Sequence, residues 1–441
     1  MSVARSAPPD EVTRAVAELW RLPPPGPDNL FSSPEFVRLK EALQSCHPGV
    51  GKPVFALGTA LRSLGLPSGL PRDRQHLSLP PDEAARRLVS AVRAKRAKRW
   101  HLAPLDLADD LPRLRFGPAA LRRFTPDELR ALVDAARLGR TFPGNSFEAE
   151  RFAEFQWLVV EEDVLLDLPP EARAVPILFT DMRQDLGRIE PHKGRFTSAV
   201  EDVLFFLLLA PWEDWSRMPE VDWRGFRIPW VYTTDEDIFV RSQTVPSPES
   251  LSWEPQALTD AWGEIVEVER PVVLPLENRA GASLSDWNEE AWETACRARL
   301  SHLFETPVAH FFVRAYLTDG VDEVLAHLTA IEAALGVQAD HDRRLRAKSD
   351  KELGATKRVA TRIAALLGAP NSADQYEHLF RVRSAFLHGR SMGAISTVER
   401  VLARRLSRQV VATLVDQVLA GQGGSRDDQL GMLLDRGLQL S

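Results

Sequence analysis

The chain of 441 residues is poor in cysteine and has no long apolar stretch, and both shortages limit its function. Its two cysteines, Cys46 and Cys296, are too few for a disulfide framework or a cysteine metal site. The longest apolar run, 203–210, has eight residues, whereas a membrane-spanning helix needs about 20. The first ten residues also lack the apolar core of a signal peptide. We therefore expect a cytoplasmic protein with no membrane partner.

Length and local pattern divide the chain into four parts. A chain of this length exceeds one ordinary hydrophobic core, so two or three domains are expected. Residues 1–75 are rich in proline and predict an irregular region, whereas 76–245 mix strand and helix signals and predict an α+β domain. Residues 246–284, again rich in proline, predict a linker. Residues 285–441 contain one amphipathic segment after another, which is typical of an all-α helical bundle.

Five stretches of the α+β part have the short apolar runs and β-branched or aromatic residues that favour strands. Four of them predict single strands, and the fifth predicts a hairpin. They are residues 100–107, 114–116, 155–161 and 174–180, and the hairpin 227–240.

Charge is distributed unevenly along the chain. The net charge of −7 argues against a protein attracted as a whole to nucleic acid. Residues 341–410, however, contain 15 Lys and Arg against six acidic residues, so this segment carries +9 and the remainder −16. A basic segment fits a substrate with a phosphate backbone. A basic helix face packed against acidic residues of the N-terminal region explains the same charge equally well.

One short pattern lies inside the basic segment. Residues 376–389 read Tyr-Glu-His-Leu-Phe-Arg-Val-Arg-Ser-Ala-Phe-Leu-His-Gly and predict one helix ending at Gly389. Within it, Arg383 precedes His388 by five positions. That spacing alone proves little, because the chain contains it twice more, at Arg96/His101 and Arg297/His302.

The residues around Arg383 distinguish this match from the other two. Tyr376 lies seven positions before the arginine, Ser384 follows it, and a glycine follows the histidine. Because they contain this pattern, residues 285–420 resemble a HEPN domain of the Apea-like group. The resemblance implies an all-helical, usually dimeric domain and a metal-independent ribonuclease. It also implies that the arginine and the histidine, Arg383 and His388, form a composite catalytic site.

The chemistry of the two side chains agrees with that role. RNA cleavage without a metal needs proton transfer at the 2′-hydroxyl and at the leaving oxygen, and positive charge at the phosphate. His388 suits proton transfer because imidazole titrates near neutrality. Arg383 suits phosphate binding because guanidinium keeps its charge and presents a planar fork. Five positions separate them by about 140° around a helix, so two copies of the helix at a homodimer interface are needed to bring them together.

Several further residues are candidates for the same site. Ser384, Tyr376 and Glu332 are candidate supporting residues, and Glu332 is placed to orient a basic partner. The candidates for contact with the RNA backbone share positive charge within the basic segment. They are Arg381, Arg390, Lys357 and Arg358. We expect no metal and no cofactor in this site.

Three functional hypotheses follow. The first is a HEPN endoribonuclease that cleaves RNA such as tRNA, as a bacterial toxin or anti-phage effector controlled by residues 76–245 and by a phage-derived trigger or regulatory partner. The second is a non-catalytic HEPN module that dimerises or binds RNA or another partner. The third places the active site in the N-terminal half, on an acid and histidine cluster whose spacing matches no metal motif. That cluster is Asp181, Asp185, Glu190 and His192.

Overall fold

The computed structural model describes most of the chain. The described residues are 9–24, 29–50, 53–176, 185, 187–188, 194–259, 262–305, 307–342, 344–346, 351–387, 393–420 and 424–440. The chain divides into two compact units. Unit 1 comprises Met1–Pro104, Arg123–Arg188 and Pro229–Leu251, and unit 2 comprises Leu105–Arg122, Ile189–Ile228 and Ser252–Ser441. Each unit therefore combines segments that are distant in sequence.

The described residues form helices throughout and strands mainly before residue 272. The helices are α1 (Asp10–Trp20), α2 (Pro34–Cys46), α3 (Val54–Leu64), α4 (Pro81–Arg93), α5 (Pro126–Leu132), α6 (Ala135–Thr141), α7 (Ala149–Phe152), α8 (Pro170–Ala174), α9 (Ser198–Leu207), α10 (Trp212–Trp215), α11 (Arg279–Ser283), α12 (Glu289–Arg299), α13 (Val308–Leu317), α14 (Val321–Leu335), α15 (Gln338–His341), α16 (Ala355–Leu367), α17 (Asn371–Leu387), α18 (Thr397–Leu419) and α19 (Arg426–Leu440). The strands are β1 (Arg96–Leu105), β2 (Leu114–Phe116), β3 (Ala119–Arg123), β4 (Gln156–Leu165), β5 (Tyr232–Asp235), β6 (Trp253–Thr259) and β7 (Ile265–Pro271).

Unit 1 begins with a helical core rather than the irregular region expected for residues 1–75. The apolar faces of α1, α2, α3 and α4 pack together in one buried cluster. The prediction was wrong because the prolines of this region stand at helix starts. Pro34 is at the first turn of α2, and Pro53 immediately precedes α3. A helix start leaves its first amides without intrahelical acceptors, so proline costs little there.

The strands of unit 1 place β1 between β4 and β5. β1 pairs antiparallel with β5, with His101 opposite Thr233, so residues 227–240 do not form the expected hairpin. The strands predicted at 100–107 and 155–161 are confirmed, with shifted bounds. The strand predicted at 174–180 is not: Ala174 ends α8, and residues 177–180 lie outside the described residues.

Unit 2 contains the C-terminal helices together with earlier segments. Helix α14 packs against α13 and α18, and α16 packs against α17 and α19. Helix α9 packs against α13, and α10 packs against α18, so residues 194–228 belong with the C-terminal helices instead of ending a separate domain at residue 245. The expected division into a mixed α and β N-terminal region and a helical C-terminal region is confirmed. No helix among the described residues is long and apolar enough to cross a membrane.

The region expected to be a linker, 246–284, contains regular structure. Strands β6 and β7 form an antiparallel hairpin in which Trp253 lies opposite Pro271. Most of its side chains are exposed on both faces. Proline is tolerated in edge strands, and both strands of an isolated hairpin are edges. The proline content of this region therefore did not exclude strands.

Helix α18 carries a fully buried arginine that joins segments of unit 2. The Arg404 side chain donates from Nε to Glu213 Oε2 at 3.2 Å and from Nη2 to the Leu208 carbonyl at 2.6 Å. Its Cζ lies 4.6 Å from the ring centre of Trp223. Burial lowers the pKa of Arg404 to about 10, and the charge of Glu213 opposes that shift. The guanidinium therefore stays charged at neutral pH.

A buried carboxylate on α14 lies in the same region of unit 2. The Trp223 indole donates to Glu323 Oε1 at 2.5 Å, and Arg224 Nη2 lies 3.4 Å from Glu323 Oε2. Burial raises the pKa of Glu323 to about 7, although Arg224 and Arg400 oppose the shift. This carboxyl group therefore titrates near neutral pH in the folded protein.

The raised pKa predicts a pH-dependent stability. In the unfolded chain a Glu side chain titrates at about pH 4.3, so between that pH and about 7 the folded state binds the proton more strongly. Stability falls as the pH rises through this range, by about 4 kcal/mol in all. The variant Glu323→Gln does not titrate, so we expect its Tm relative to wild type to be higher at pH 8 than at pH 5. The exposed neighbour Asp322 supplies the control, Asp322→Asn. A Tm difference for Glu323→Gln that stays constant from pH 5 to pH 8 would contradict the raised pKa.

Candidate functional site

The candidate arginine lies on one face of α17 together with two aromatic residues. Tyr376, Phe380 and Arg383 are spaced three or four positions apart, so their side chains share a face. Tyr376 is 1% exposed, and its ring centre lies 6.2 Å from that of Phe380. The Arg383 Cζ lies 5.6 Å from the Phe380 ring centre. The guanidinium is therefore positioned by an aromatic surface of its own helix.

A carboxylate from α14 binds both polar members of this face. Arg383 Nη1 donates to Glu332 Oε1 at 2.5 Å, and Tyr376 Oη donates to the same oxygen at 3.4 Å. Burial, and then the charge of Glu332, raises the pKa of Tyr376, so its hydroxyl keeps the proton that it donates. The Arg383 and Glu332 side chains are 24% and 32% exposed. Tyr376 and Glu332, predicted as supporting residues, are thus brought together with Arg383.

This arrangement has two chemical consequences. The carboxylate and the ring orient the guanidinium, which lowers the conformational entropy lost when an anion binds. The same carboxylate also neutralises much of the charge that an anion would meet. An incoming phosphate can bind at the exposed quarter of the Arg383 side chain or compete with Glu332 for its N–H groups.

The remaining candidates on and after α17 are placed differently. Ser384 is half-buried, and Arg381 is exposed. His388 and Arg390 lie outside the described residues. Since His388 is the predicted acid–base partner, the half of the site that the structure describes is the arginine half.

The two basic candidates on α16 have opposite environments. Lys357 Nζ lies 2.8 Å from Glu377 Oε1, an ion pair that is not aligned as a hydrogen bond, and its side chain is 54% exposed. Arg358 is 4% exposed, and its Nε donates to Asp340 Oδ1 at 2.6 Å. A buried guanidinium cannot reach an RNA backbone. We therefore remove Arg358 from the candidate contacts and retain Lys357 and Arg381.

Asp340 is the acceptor for a second buried arginine. Arg362 Nη1 donates to Asp340 Oδ2 at 2.6 Å, and its Nη2 donates to Oδ1 at 3.0 Å. Burial acts to raise the pKa of Asp340, but the hydrogen bonds and charge of Arg362 outweigh it, and the pKa is lowered. The carboxylate thus stays ionised and holds α16 to the start of α15.

Much of the +9 charge of residues 341–410 belongs to arginines that form ion pairs within unit 2. Arg404, Arg405 and Arg408 of α18 form ion pairs with Glu213 and Asp214 of α10. Such arginines hold helices together and are not a free phosphate-binding surface. For them, packing against acidic residues is the correct explanation. These acidic residues were expected to belong to a separate N-terminal region, but they lie in the same unit.

His378 of α17 was not singled out from the sequence. Its Nε2 lies 3.1 Å from Glu399 Oε1, and its side chain is 46% exposed. Glu399 Oε2 accepts from the Ser396 backbone N–H at 2.8 Å and from its hydroxyl at 2.9 Å. These hydrogen bonds lower the pKa of Glu399. The capping box at Ser396 was recognisable from the sequence, but its contact with His378 is tertiary.

The N-terminal acid and histidine cluster gains no support. Asp181, Glu190 and His192 lie outside the described residues. Asp185 Oδ1 accepts from the Gly187 backbone N–H at 3.0 Å, which is a local turn contact. Within the described ranges, no three His, Cys or acidic side chains are placed to hold a metal ion.

The Glu332–Arg383 bond predicts a measurable coupling. In a double-mutant cycle of Glu332→Gln and Arg383→Gln, we expect a coupling free energy of about 1 kcal/mol from urea unfolding, because both side chains are partly buried. The control cycle, Lys357→Gln with Glu377→Gln, involves a more exposed pair and should give less than about 0.5 kcal/mol. A coupling near zero for the first pair would show that Glu332 does not hold the arginine in solution.

Comparison with known proteins adds no identity to these residues. No family model matches the chain, and neither a curated protein nor a solved structure matches it. The features that point to a function are therefore the residues of α14 and α17 and the pattern around Arg383.

Proposed function

We propose that unit 2 contains a HEPN-type, metal-independent endoribonuclease that cleaves RNA such as tRNA and acts as a bacterial toxin or anti-phage effector. The main support for this proposal is the environment of Arg383. It lies in the Arg-Ser pattern of the Apea-like group, is oriented by Phe380 and Glu332, and is partly exposed. The proposal assigns control of the site to unit 1 and to a phage-derived trigger or regulatory partner.

In this proposal the RNA supplies its own nucleophile. A 2′-hydroxyl attacks the adjacent phosphorus, its proton passes to a base, and the 5′-oxygen leaves with a proton from an acid. The products are a 2′,3′-cyclic phosphate and a 5′-hydroxyl. His388 performs the proton transfers, and Arg383 binds the phosphate oxygens on which charge accumulates. Arg381 and Lys357 are exposed cations close to Arg383 in the sequence or on the neighbouring helix.

The proposed site is composite and requires a homodimer. On an ideal helix five positions correspond to about 140°, so an arginine and a histidine at that spacing would not share a face within one copy. In a twofold dimer the same helix contributes to both sites. Each site then combines the arginine of one copy with the histidine of the other.

A second candidate function is a non-catalytic module that dimerises or binds RNA or a protein partner. The Glu332–Arg383 bond favours it, because a guanidinium already bound to a carboxylate can serve structure alone. The ion pairs that Arg404, Arg405 and Arg408 form also favour a non-catalytic module. The two functions differ in whether both Arg383 and His388 are needed for RNA cleavage.

We expect purified wild-type protein to cleave total tRNA in EDTA. Arg383→Ala and His388→Ala should each lower the rate by at least about 100-fold while the protein stays folded by circular dichroism. The control is Arg297→Ala, which removes an exposed arginine of another Arg-x4-His match and should leave the rate unchanged. Wild-type protein that leaves RNA intact would favour the binding module. Cleavage that survives both substitutions would place the active site elsewhere.

A further inference from the structure

Unit 2 contains a second candidate site, a cleft that includes no residue of α17. Its volume is about 770 Å³, and it lies between residues 194–202 and residues 299–313. Clefts that bind small molecules typically span about 300–1,000 Å³. This one is lined by aromatic, basic and acidic side chains, and that combination restricts the kind of ligand it can take.

One part of the cleft favours an anion. Helix α9 begins there at Ser198 and α13 begins at Val308, and neither has a side-chain N-cap hydrogen bond among the described residues. The first amides and the dipole of a helix attract phosphate and carboxylate groups. Arg195 and Arg299 line the same cleft. Two helix starts and two guanidinium groups therefore meet around one space, although Arg299 is paired with Asp202.

Another part of the cleft offers hydrogen-bond acceptors. Glu201 Oε2 lies 3.8 Å from His310 Nδ1, too far for a hydrogen bond, and His310 Nδ1 is buried with no hydrogen-bond partner in the described part of the chain. Glu201 Oε1 accepts from the Phe196 backbone N–H at 3.4 Å. Burial raises the pKa of Glu201. A ligand with N–H donors would find an acceptor in the Glu201 carboxylate.

Two aromatic rings also line the cleft. Phe196 lies beneath the Arg195 guanidinium, whose Cζ is 5.2 Å from its ring centre. Phe304 packs edge to face on Phe205, with ring centres 6.0 Å apart. Such rings can cover a flat heterocycle while polar groups at the ends of the cleft fix its orientation.

We propose that this cleft binds a purine mononucleotide, with guanine preferred over adenine. The phosphate would lie at the starts of α9 and α13 near Arg195, and the base would lie against the aromatic rings. Guanine presents two adjacent N–H donors, which suit the carboxylate acceptor Glu201. An RNA chain fits less well, because its successive phosphates would meet Glu201, Asp202 and Glu305, which line the same cleft. The inference is independent of the proposed ribonuclease.

Calorimetric titration of the full chain with GMP, AMP and inorganic phosphate tests this site. We expect GMP to bind more tightly than AMP, and phosphate alone to bind weakly. Glu201→Gln keeps the side-chain size but replaces an acceptor with a donor, so it should weaken GMP binding about tenfold and leave phosphate binding unchanged. Arg195→Ala should weaken both nucleotides to a similar extent. Arg314→Ala removes an exposed arginine of α13 that does not line the cleft and should have no effect.

Three results would overturn the proposal. One is the absence of heat and of any Tm increase with either nucleotide. Another is inorganic phosphate binding as tightly as GMP, which would make the cleft a simple anion site. The third is an RNA oligonucleotide binding in a manner sensitive to Glu201→Gln while GMP does not bind. Loss of RNA cleavage in the α17 variants has no bearing on these outcomes.

Discussion

The organisation of unit 2 depends on one requirement: a buried guanidinium must remain bound to acceptors, since an unpaired buried charge is very costly. Arg404 has no exposed surface and takes its acceptors from Glu213 and from the Leu208 and Ala210 carbonyls. Residues 194–228 must therefore pack together with α18. Removing Glu213 would leave the charge of Arg404 buried without its acidic partner, which would destabilise the fold. These segments therefore form one unit.

The same rule governs the candidate site, with a different outcome. Asp340 holds Arg358 and Arg362 almost completely buried, and those arginines are structural. Glu332 holds Arg383 with a quarter of its side chain exposed, so this arginine is both fixed and accessible. Among the basic residues of the segment, Arg383 thus combines a defined orientation with access to a ligand. The proposed phosphate-binding role of Arg383 needs both properties.

Sequence patterns predicted what depends on local structure. The strand at 114–116 and the C-terminal succession of helices both follow from spacing and turn residues. The pairing of Arg358 with Asp340, and of His378 with Glu399, is tertiary and has no local signature. Counting charge overestimated the basic surface for this reason, because a count cannot tell a paired arginine from a free one. The domain boundaries predicted from the sequence were wrong for the same reason, since long-range packing determines which segments belong to one unit.

The most direct test of the proposed composite site is complementation between two inactive variants. Arg383→Ala and His388→Ala proteins would be mixed, allowed to exchange subunits, and assayed for tRNA cleavage in EDTA. If each site takes its arginine from one copy and its histidine from the other, mixed dimers have one intact site, and activity should return to about a quarter of the wild-type value. A mixture as inactive as its two components, with subunit exchange verified by mass, would contradict a site shared between two copies.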